Sequence, residues 1–548
     1  MAELSHASGD SKVLPMKNPP AENLVMQTDR FLIGCGLAVF ALAAIWAVCF
    51  VPMNMDEAGI FHIFACSNYP FASFNTFRDA CVGQNDLTTF FGLRISRPEW
   101  YTGIWHSILY APFYFVFHAP IAQYGFGLCF LFGFAGLMGR AMAKPLLGFA
   151  ITLAFVPFVF HFVHDLGPVK FALLCYPLSG ILLAQILKAP SPLRYGYAVG
   201  LAFLIMAGIE EKAFFLYLLI PVGFFALALA AGDRGFGELK AALYNARWAL
   251  VLAALVVVAG VLILFFSEND RGQSYIVWLA DMVDNRRSFS GRIDLLFDFF
   301  FYWPAFAHTY FDMNDDTASA VLFKVATAVF CAIVAWLAAK SGFFSIPKAR
   351  HTLLGLSFLS TTVIFVGAQN VWAGHHFIFM WAPLILLFMD FAATLAPMLA
   401  IILIGGFFVF NLASLAALTQ GTFLGTNAPE RAAIFHYFDN DEIASHAIIN
   451  FSSWGAYYIQ AIYGPKNQLV TYTEPHDLET LRRVSFMPQD AAALLEIAHQ
   501  TGRRIYNICY GPTCTKEGLE SVYDNKIAFE EVLPGLQFWH VFAATPRR

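Results

Sequence analysis

An acidic pair, Asp56-Glu57, comes directly after the first long apolar run of the chain. The pair is therefore expected where a membrane helix leaves the bilayer, beside an apolar wall. Ionisable side chains are costly at such a place and often mark functional sites. The position of Asp56 and Glu57 therefore predicts chemistry at the membrane surface. The competing interpretation is a solvated or helix-capping Asp56.

Charged and imidazole side chains recur at other predicted ends of membrane helices. These candidates for holding an anion or orienting a substrate are Arg97, Asp165, Lys212, Arg292, His375 and His376. Each has a structural alternative. Asp165 precedes a Gly-Pro turn, Lys212 could pair locally with Glu211, and the two His residues could lie in the membrane interface.

The composition excludes a soluble globular enzyme and gives no reason to expect nucleic acid as a partner. Hydrophobic residues make up 58% of the chain and charged residues 13%, with a net charge of −5. Stretches of about 17–23 residues with almost no charge are long enough to cross a bilayer as helices. The sequence therefore predicts a polytopic α-helical membrane protein.

Lys and Arg collect on the cytoplasmic side of membrane helices, and their positions fix a topology of about 11 spans. The predicted spans are 31–52, 121–139, 146–163, 168–187, 195–211, 213–231, 248–266, 317–339, 352–369, 375–391 and 394–417. The polar, Pro-rich segment 1–30 is then a cytoplasmic tail. The apolar segment 101–118 is interpreted as a helix in the outer interface, because counting it as a span would place Arg140 and Lys144 outside.

Three regions are then expected on the extracytoplasmic side of a transmembrane core, 31–419. They are a first loop, 53–120, a second loop, 267–316, and a C-terminal domain, 420–548. The composition of the last, with a short alternating run at Leu469–Tyr472, predicts a small α/β unit. Cys66 with Cys81, and Cys509 with Cys514, fall in these regions, where disulfides are permitted.

Several motifs together resemble a family, the membrane glycosyltransferases of the GT-C fold. That superfamily includes the bacterial aminoarabinose transferases of lipid A and the protein O-mannosyltransferases. The motifs that carry the resemblance are Asp56-Glu57, Arg97-Pro98-Glu99-Trp100-Tyr101, His164-Asp165-Leu166-Gly167-Pro168, Glu210-Glu211-Lys212 and Gly374-His375-His376-Phe377. Arg97 stands where the aminoarabinose group has Lys, and Glu99 where it has a second Pro.

The resemblance implies a GT-C-like core and an inverting transfer of a sugar from a polyprenyl-phosphate donor. The acceptor would be an envelope lipid, glycan or protein, on the extracytoplasmic side of a bacterial inner membrane. Asp56 would be the base, with Glu57 or Asp165 orienting the acceptor or sugar. Arg97, Lys212, Arg292, His375 and His376 would bind the lipid phosphate.

Two questions stay open at the level of sequence. A divalent metal could assist the two His residues, but no ligand spacing indicates one. A secondary transporter or flippase of envelope precursors is the alternative function, which would place its charged residues near the bilayer midplane.

Overall fold

The computed structural model of the 548-residue chain describes most of the helical core and most of the C-terminal domain. The described residues are 20–50, 87–90, 93–96, 105–117, 121–164, 168–211, 215–265, 288–301, 317–343, 348–367, 374–420, 427–451, 469–472, 491–510, 514–523, 525–536 and 539–546.

The described elements of the first half of the core are mainly apolar helices, with one short hairpin among them. Because backbone groups in a bilayer must be satisfied within their own segment, long uncharged runs fold as helices. In chain order the elements are α1 Pro20–Phe50, β1 Leu87–Phe90, β2 Leu93–Ser96, α2 Trp105–Phe117, α3 Ile121–Arg140, α4 Pro145–Ala154, α5 Val156–His164, α6 Pro168–Lys188, α7 Ser191–Glu211, α8 Phe215–Ala231, α9 Phe236–Asn245 and α10 Arg247–Phe265. The strands β1 and β2 pair antiparallel.

The second half of the core continues in the same way. Its elements are α11 Phe289–Phe301, α12 Thr317–Lys340, α13 Ala349–Gly367, a 3-10 helix Gly374–Met380, α14 Trp381–Ala392 and α15 Pro397–Gln420. One continuous core of buried side chains, rich in Phe, joins these helices to those of the first half.

The described helices agree with the predicted spans in position. Seven are long and apolar enough to cross a membrane, and nine if each of two bent pairs counts as one span. Two shorter apolar helices, Arg247–Ile263 and Phe377–Ala392, overlap the remaining predicted spans. The total of about 11 membrane spans stays a prediction. One difference is at the N-terminus, where α1 begins at Pro20, inside the predicted tail, with a proline suited to the first helical turn.

The helix predicted for the outer interface is α2, which has 13 residues. Such a helix is about 20 Å long, shorter than the hydrocarbon core of a bilayer. The placement of the whole segment 101–118 in the outer interface stays a prediction, because its two ends lie outside the described residues.

The core contains two pairs of consecutive helices with a sharp bend between the members of each pair. The axes of α4 and α5 differ by 68°, and those of α8 and α9 by 102°. Between α4 and α5, Phe155 has extended backbone angles, and Pro157 has no N–H to continue the helical ladder. α5 packs so close to α3 that a Cβ atom added at Gly127 would collide with the carbonyl oxygen of Phe162.

The C-terminal domain has the α/β architecture that the sequence predicts. Its elements are α16 Asn427–Phe438, α17 Asp441–Ser445, β3 Ala447–Phe451, β4 Leu469–Tyr472, α18 Ala491–Thr501, β5 Arg504–Tyr510, α19 Lys516–Val522, β6 Ile527–Glu531 and β7 Trp539–Pro546. The five strands form one sheet in the order β4-β3-β5-β7-β6. The strands β3, β4 and β5 are parallel, and β7 runs antiparallel to both β5 and β6.

Cysteine pairing agrees with the prediction for this domain. Cys509, at the end of β5, is bonded to Cys514, which precedes α19. The other predicted pair, Cys66 and Cys81, lies outside the described residues. The limits proposed for the tail, core and C-terminal domain stay predictions.

Candidate active site

Most of the predicted site residues lie outside the part of the chain that the structure describes. These residues are Asp56, Glu57, Arg97, Asp165 and Lys212. Their predicted convergence in one cavity is therefore not tested. For His375 and His376 the structure gives the backbone alone, as part of the 3-10 helix. Arg292 is the predicted site residue whose side chain is described.

The helix ends around these segments are described, and they meet at one end of the bundle. We call it the Lys170 end, defined by Trp105, Lys170 and Glu211. The helices α6 and α7 pack side by side. α6 begins at Pro168 and α7 ends at Glu211, so both termini face the same way. The opposite end, where α13 begins at Ala349, is called the Arg350 end.

Glu211 ties the interfacial helix to the core at the Lys170 end. Its side chain is fully buried, and its Oε2 atom accepts a hydrogen bond from the backbone N–H of Trp105 at 2.7 Å. The Trp105 ring also packs edge-to-face on Phe203 of α7, with centroids 5.6 Å apart. A helix N-terminus leaves N–H groups without intrahelical partners, and a carboxylate is a favoured acceptor for them. The motifs with Arg97 and Lys212 flank this contact in the sequence.

Lys170 is a buried cation that the sequence analysis missed. It lies in the first turn of α6 with 1% of its surface exposed, and its Nζ atom is 6.0 Å from the centroid of the Phe126 ring. Phe126 in turn packs on Tyr110 and Phe113 of α2. A buried ammonium group persists only where nearby polar or anionic groups offset its lost hydration. The Lys170 end thus combines a buried basic side chain, Lys170, with a buried acidic one, Glu211.

A signal for Lys170 was present in the sequence. It is the only Lys or Arg between Lys144 and Lys188, and it stands at the end of its span that the charge rule expects to lack basic residues. A basic residue that breaks this rule needs a separate reason to be there.

Arg292 holds α11 against the end of α13. Its side chain is 8% exposed, and its Nε atom donates to the carbonyl oxygen of Val366 at 2.7 Å. Val366 is in the last turn of α13, where carbonyl groups lack helical partners. α11 also contacts the 3-10 helix that carries the two His residues. The Nε atom of Arg292 is thus engaged with the backbone, and a role in phosphate binding would fall to its Nη atoms.

An apolar cavity of about 600 Å³ lies between α12, α13, α14 and α15. Phe300 and Trp381, stacked with centroids 5.2 Å apart, line one part of it. Its other lining residues include Thr327, Phe330, Cys331, Val334, Ala338, Phe343, His351, Gly355, Leu384, Phe388, Phe391, Phe407 and Phe410. We call this cavity the apolar groove. From Thr327 to Ala338 it follows α12 for about 16 Å.

The Arg350 end carries a compact ion pair. Arg350 donates from Nε to Asp390 Oδ2 at 2.6 Å and from Nη2 to Asp390 Oδ1 at 3.1 Å. A further Nη2 hydrogen bond reaches the carbonyl oxygen of Ala141. The pair joins α13, α14 and the turn after α3, so its chemistry is explained by helix packing.

Among the described residues, no group of three or more His, Cys, Asp or Glu side chains could hold a metal ion. Whether His375 and His376 bind a metal ion therefore stays an open question, because their side chains are outside the described part of the chain.

Comparison with known proteins identifies the fold. The sequence matches no protein-family model and no curated protein. The structure is similar to that of ArnT from Cupriavidus metallidurans bound to undecaprenyl phosphate, with a TM-score of 0.50 and 11% identity over 96% of this chain and 100% of that chain. The apo state of the same protein gives a TM-score of 0.51 with the same identity and coverage. The chain thus has the GT-C fold that its motifs predict, with a small α/β domain at the C-terminus.

Proposed function

We propose that this protein is an integral membrane glycosyltransferase that moves a sugar from a polyprenyl-phosphate donor to an envelope acceptor. The observation that carries the proposal is the likeness of fold over nearly the whole chain to a protein solved with undecaprenyl phosphate. A shared fold alone does not determine an activity. The proposal therefore also rests on the apolar groove and on the buried charges at the Lys170 end.

The apolar groove suits the isoprenoid part of such a donor. Most of its lining is Phe and aliphatic side chains, with His351 and two Thr side chains among them, and a polyprenyl chain gains from contact with such apolar surface. The groove lies toward the Arg350 end, where His351 and Phe391 line it, so its length of about 16 Å would hold a few isoprene units remote from the phosphate. A soluble nucleotide-sugar would gain nothing from such a surface.

The Lys170 end suits the phosphate of the donor. Lys170 is a fully buried cation in that part of the core, and the segments with Arg97 and Lys212 adjoin Trp105 and Glu211 in the sequence. Cations in a site of low dielectric hold a phosphate strongly and stabilise the charge that develops as it leaves. We add Lys170 to the proposed phosphate-binding residues Arg97, Lys212, Arg292, His375 and His376.

The proposed reaction is a single displacement at the anomeric carbon. An acceptor hydroxyl or amine attacks that carbon while Asp56 takes its proton. The bond from the anomeric carbon to the phosphate oxygen breaks, and the electron pair stays on the phosphate. Attack from the face opposite the leaving group inverts the configuration. Glu57 and Asp165 are proposed to orient the acceptor or the sugar.

The proposed location is the bacterial inner membrane, with the Lys170 end and the C-terminal domain on the extracytoplasmic side. The predicted basic turns then face the cytoplasm, as the charge rule requires.

The test is mass spectrometry of envelope lipids, glycans and proteins from a deletion strain. The strain is complemented with the wild type or with Asp56→Asn, and membrane levels of the two proteins are matched. We expect one sugar mass to vanish on deletion, to return with the wild type and to stay absent with Asp56→Asn. The acceptor is identified by the molecule that loses the mass.

Two other outcomes would contradict the proposal in different ways. Full complementation by Asp56→Asn would remove Asp56 as the base and leave the transfer intact. An unchanged envelope in the deletion strain would instead favour the alternative, a transporter or flippase of envelope precursors.

A further inference from the structure

Two asparagines face each other inside the C-terminal domain. Asn450 of β3 and Asn507 of β5 are direct neighbours in the parallel register, and they are 4% and 3% exposed. Asn450 Nδ2 donates to Asn507 Oδ1 at 2.6 Å. The hydroxyl of Tyr523, which follows α19, donates to the same Oδ1 atom at 3.2 Å. The three side chains form a polar cluster on a face of the sheet that also carries His540 of β7 and Glu531 of β6.

This cluster leaves one acceptor and one donor unused. Asn450 Oδ1 and Asn507 Nδ2 are buried and have no hydrogen-bond partner among the described residues. Turning both amide groups over exchanges their nitrogen and oxygen atoms. It would leave Asn450 with the free donor and Asn507 with the free acceptor, so the count does not depend on the assignment. Buried polar atoms in native proteins are nearly always satisfied, and an exception calls for a ligand, a water or a functional reason.

The position of the cluster in the sheet favours a ligand. In the sheet, β4 lies on one side of β3 and β5 lies on its other side. The connection from β3 to β4 therefore runs in one direction across the sheet, and the connection from β4 to β5 runs in the opposite direction. The strand order thus reverses between β3 and β5, which makes a topological switch point. In open α/β sheets, ligands bind beyond the carboxyl ends of the strands at this point. Asn450 is the penultimate residue of β3, at that edge of the sheet.

The surroundings of the cluster favour a neutral ligand. The described neighbours of the cluster on this face are Ile448, Ile505, Cys509 and Phe542, and none carries a charge. The ionisable pair on the same face, His540 and Glu531, is joined by its own hydrogen bond of 3.1 Å. Burial raises the pKa of Tyr523 to about 12, so its hydroxyl stays protonated. One free donor beside one free acceptor matches a pair of hydroxyl groups, since each hydroxyl can both donate and accept.

We propose that Asn450, Asn507 and Tyr523 form a saccharide-binding site at the switch point of the C-terminal sheet. Asn450 Oδ1 accepts a hydrogen bond from one sugar hydroxyl, and Asn507 Nδ2 donates to a neighbouring one. The proposed function gives the site a use, the holding of an acceptor glycan. Only that use rests on the proposed function, because the binding itself requires no transfer reaction.

The experiment measures saccharide binding to the full-length protein in detergent by ligand-observed NMR. The probes are methyl α-glucoside, methyl α-galactoside, methyl α-mannoside and N-acetylglucosamine. The test variant is Asn450→Leu/Asn507→Leu, which replaces both amides by apolar groups of similar size. The control is Tyr437→Phe, which removes the hydroxyl of a ring whose centroid is 6.3 Å from that of Tyr506, on the opposite face of the sheet.

We expect at least one probe to bind the wild type and Tyr437→Phe alike, and to bind the double variant at least tenfold more weakly. For the stability measurement Tyr523→Phe is added to the double variant, because the buried Tyr523 hydroxyl would otherwise lose its acceptor, Asn507 Oδ1. We expect this triple variant to unfold at the same or a higher temperature than the wild type, because it buries no polar atom of the cluster. That combination separates a binding role from a structural one. A structural pair of amides would instead lower the unfolding temperature when replaced.

Binding of none of the four probes to the wild type would overturn the inference, as would equal binding by the double variant. An enclosed water would then account for the free amide atoms. Asp56→Asn separates this inference from the proposed function. It should bind the probe as the wild type does, even though it fails to restore the envelope sugar. Probe binding by a wild-type protein whose deletion changes no envelope sugar would leave the inference standing and the proposed function wrong.

Discussion

Asn411 of α15 accepts a hydrogen bond from the backbone N–H of Val156, with 2.9 Å between its Oδ1 atom and the nitrogen. Val156 opens α5 just after the break at Phe155, so its N–H has no carbonyl one turn back along a continuous helix. Asn411 also donates from Nδ2 to the carbonyl oxygen of Phe407 in its own helix. A fully buried amide in α15 thus stabilises the bend between α4 and α5.

Asn411→Leu should destabilise the protein, because it leaves the Val156 N–H buried without a partner. We expect the free energy of unfolding to fall by about 1–3 kcal/mol. The measurement is thermal unfolding in detergent. Ser414→Ala is the matched control, since Ser414 donates only to a carbonyl of its own helix, that of Phe410. Equal melting of the two variants would show that the bend does not depend on Asn411.

Lys170→Met should impair the proposed sugar transfer. Hydrogen bonds to charged groups contribute about 1.5–3 kcal/mol, so losing one to the donor phosphate should slow transfer about 10- to 100-fold. The assay follows transfer by membranes with matched protein levels. Lys144→Met is the control, because Lys144 is exposed and pairs with Asp29 away from the Lys170 end. A rate for Lys170→Met within twofold of this control would remove Lys170 from the site.

Gly355→Leu should obstruct the apolar groove. Gly355 lines it, and a Cβ atom added there meets no heavy atom within 4 Å, so the backbone can accept a side chain. We expect transfer from a long-chain polyprenyl donor to fall about tenfold, the effect of about 1.4 kcal/mol of lost binding. Transfer from a donor with only two isoprene units should change little.

Gly405→Leu is the control for the groove. A Cβ atom at Gly405 also meets open space, and this residue is not among those that line the groove. Equal losses with long and short donors in Gly355→Leu would mean that the groove does not hold the lipid chain.

Tyr523 should make the C-terminal domain sensitive to alkaline pH. Burial raises its pKa to about 12 in the folded protein, against about 10 in an unfolded chain. The folded state therefore holds the proton more tightly, and this contribution is complete below pH 10. It is lost as the pH rises towards 12, by about 3 kcal/mol for two pKa units.

The measurement for Tyr523 compares denaturant unfolding of the wild type and Tyr523→Phe between pH 9 and 11. The wild type should lose more stability over this interval than the variant, which lacks the group. Parallel loss in the two proteins would contradict a raised pKa at Tyr523.

The sequence predicted the helical core well because bilayer thickness and charge leave few choices. Runs such as those of α3 and α12 are long, apolar and bounded by basic residues, so length and charge placed them without any knowledge of packing. The C-terminal strand β4 was equally visible, since alternation of apolar and polar residues marks a strand directly.

The sequence could not predict what depends on contacts between distant helices. The bend at Phe155 has a local sign in Pro157, but its acceptor Asn411 lies on α15. The apolar groove arises from the packing of four helices, none of which differs in composition from its neighbours. Lys170 is a different case, because its isolation in the sequence was a readable exception to the charge rule.

The disulfide between Cys509 and Cys514 offers a way to measure on which side of the membrane the C-terminal domain folds. Cytosolic thiol reductants keep such pairs open, whereas the periplasm closes them. Alkylation of denatured protein with and without prior reduction, read on the peptides that carry Cys509 and Cys514, would therefore differ by two labelled thiols if the domain matured outside the cytoplasm. The oxidation state of these two cysteines would therefore report the compartment in which the C-terminal domain folded.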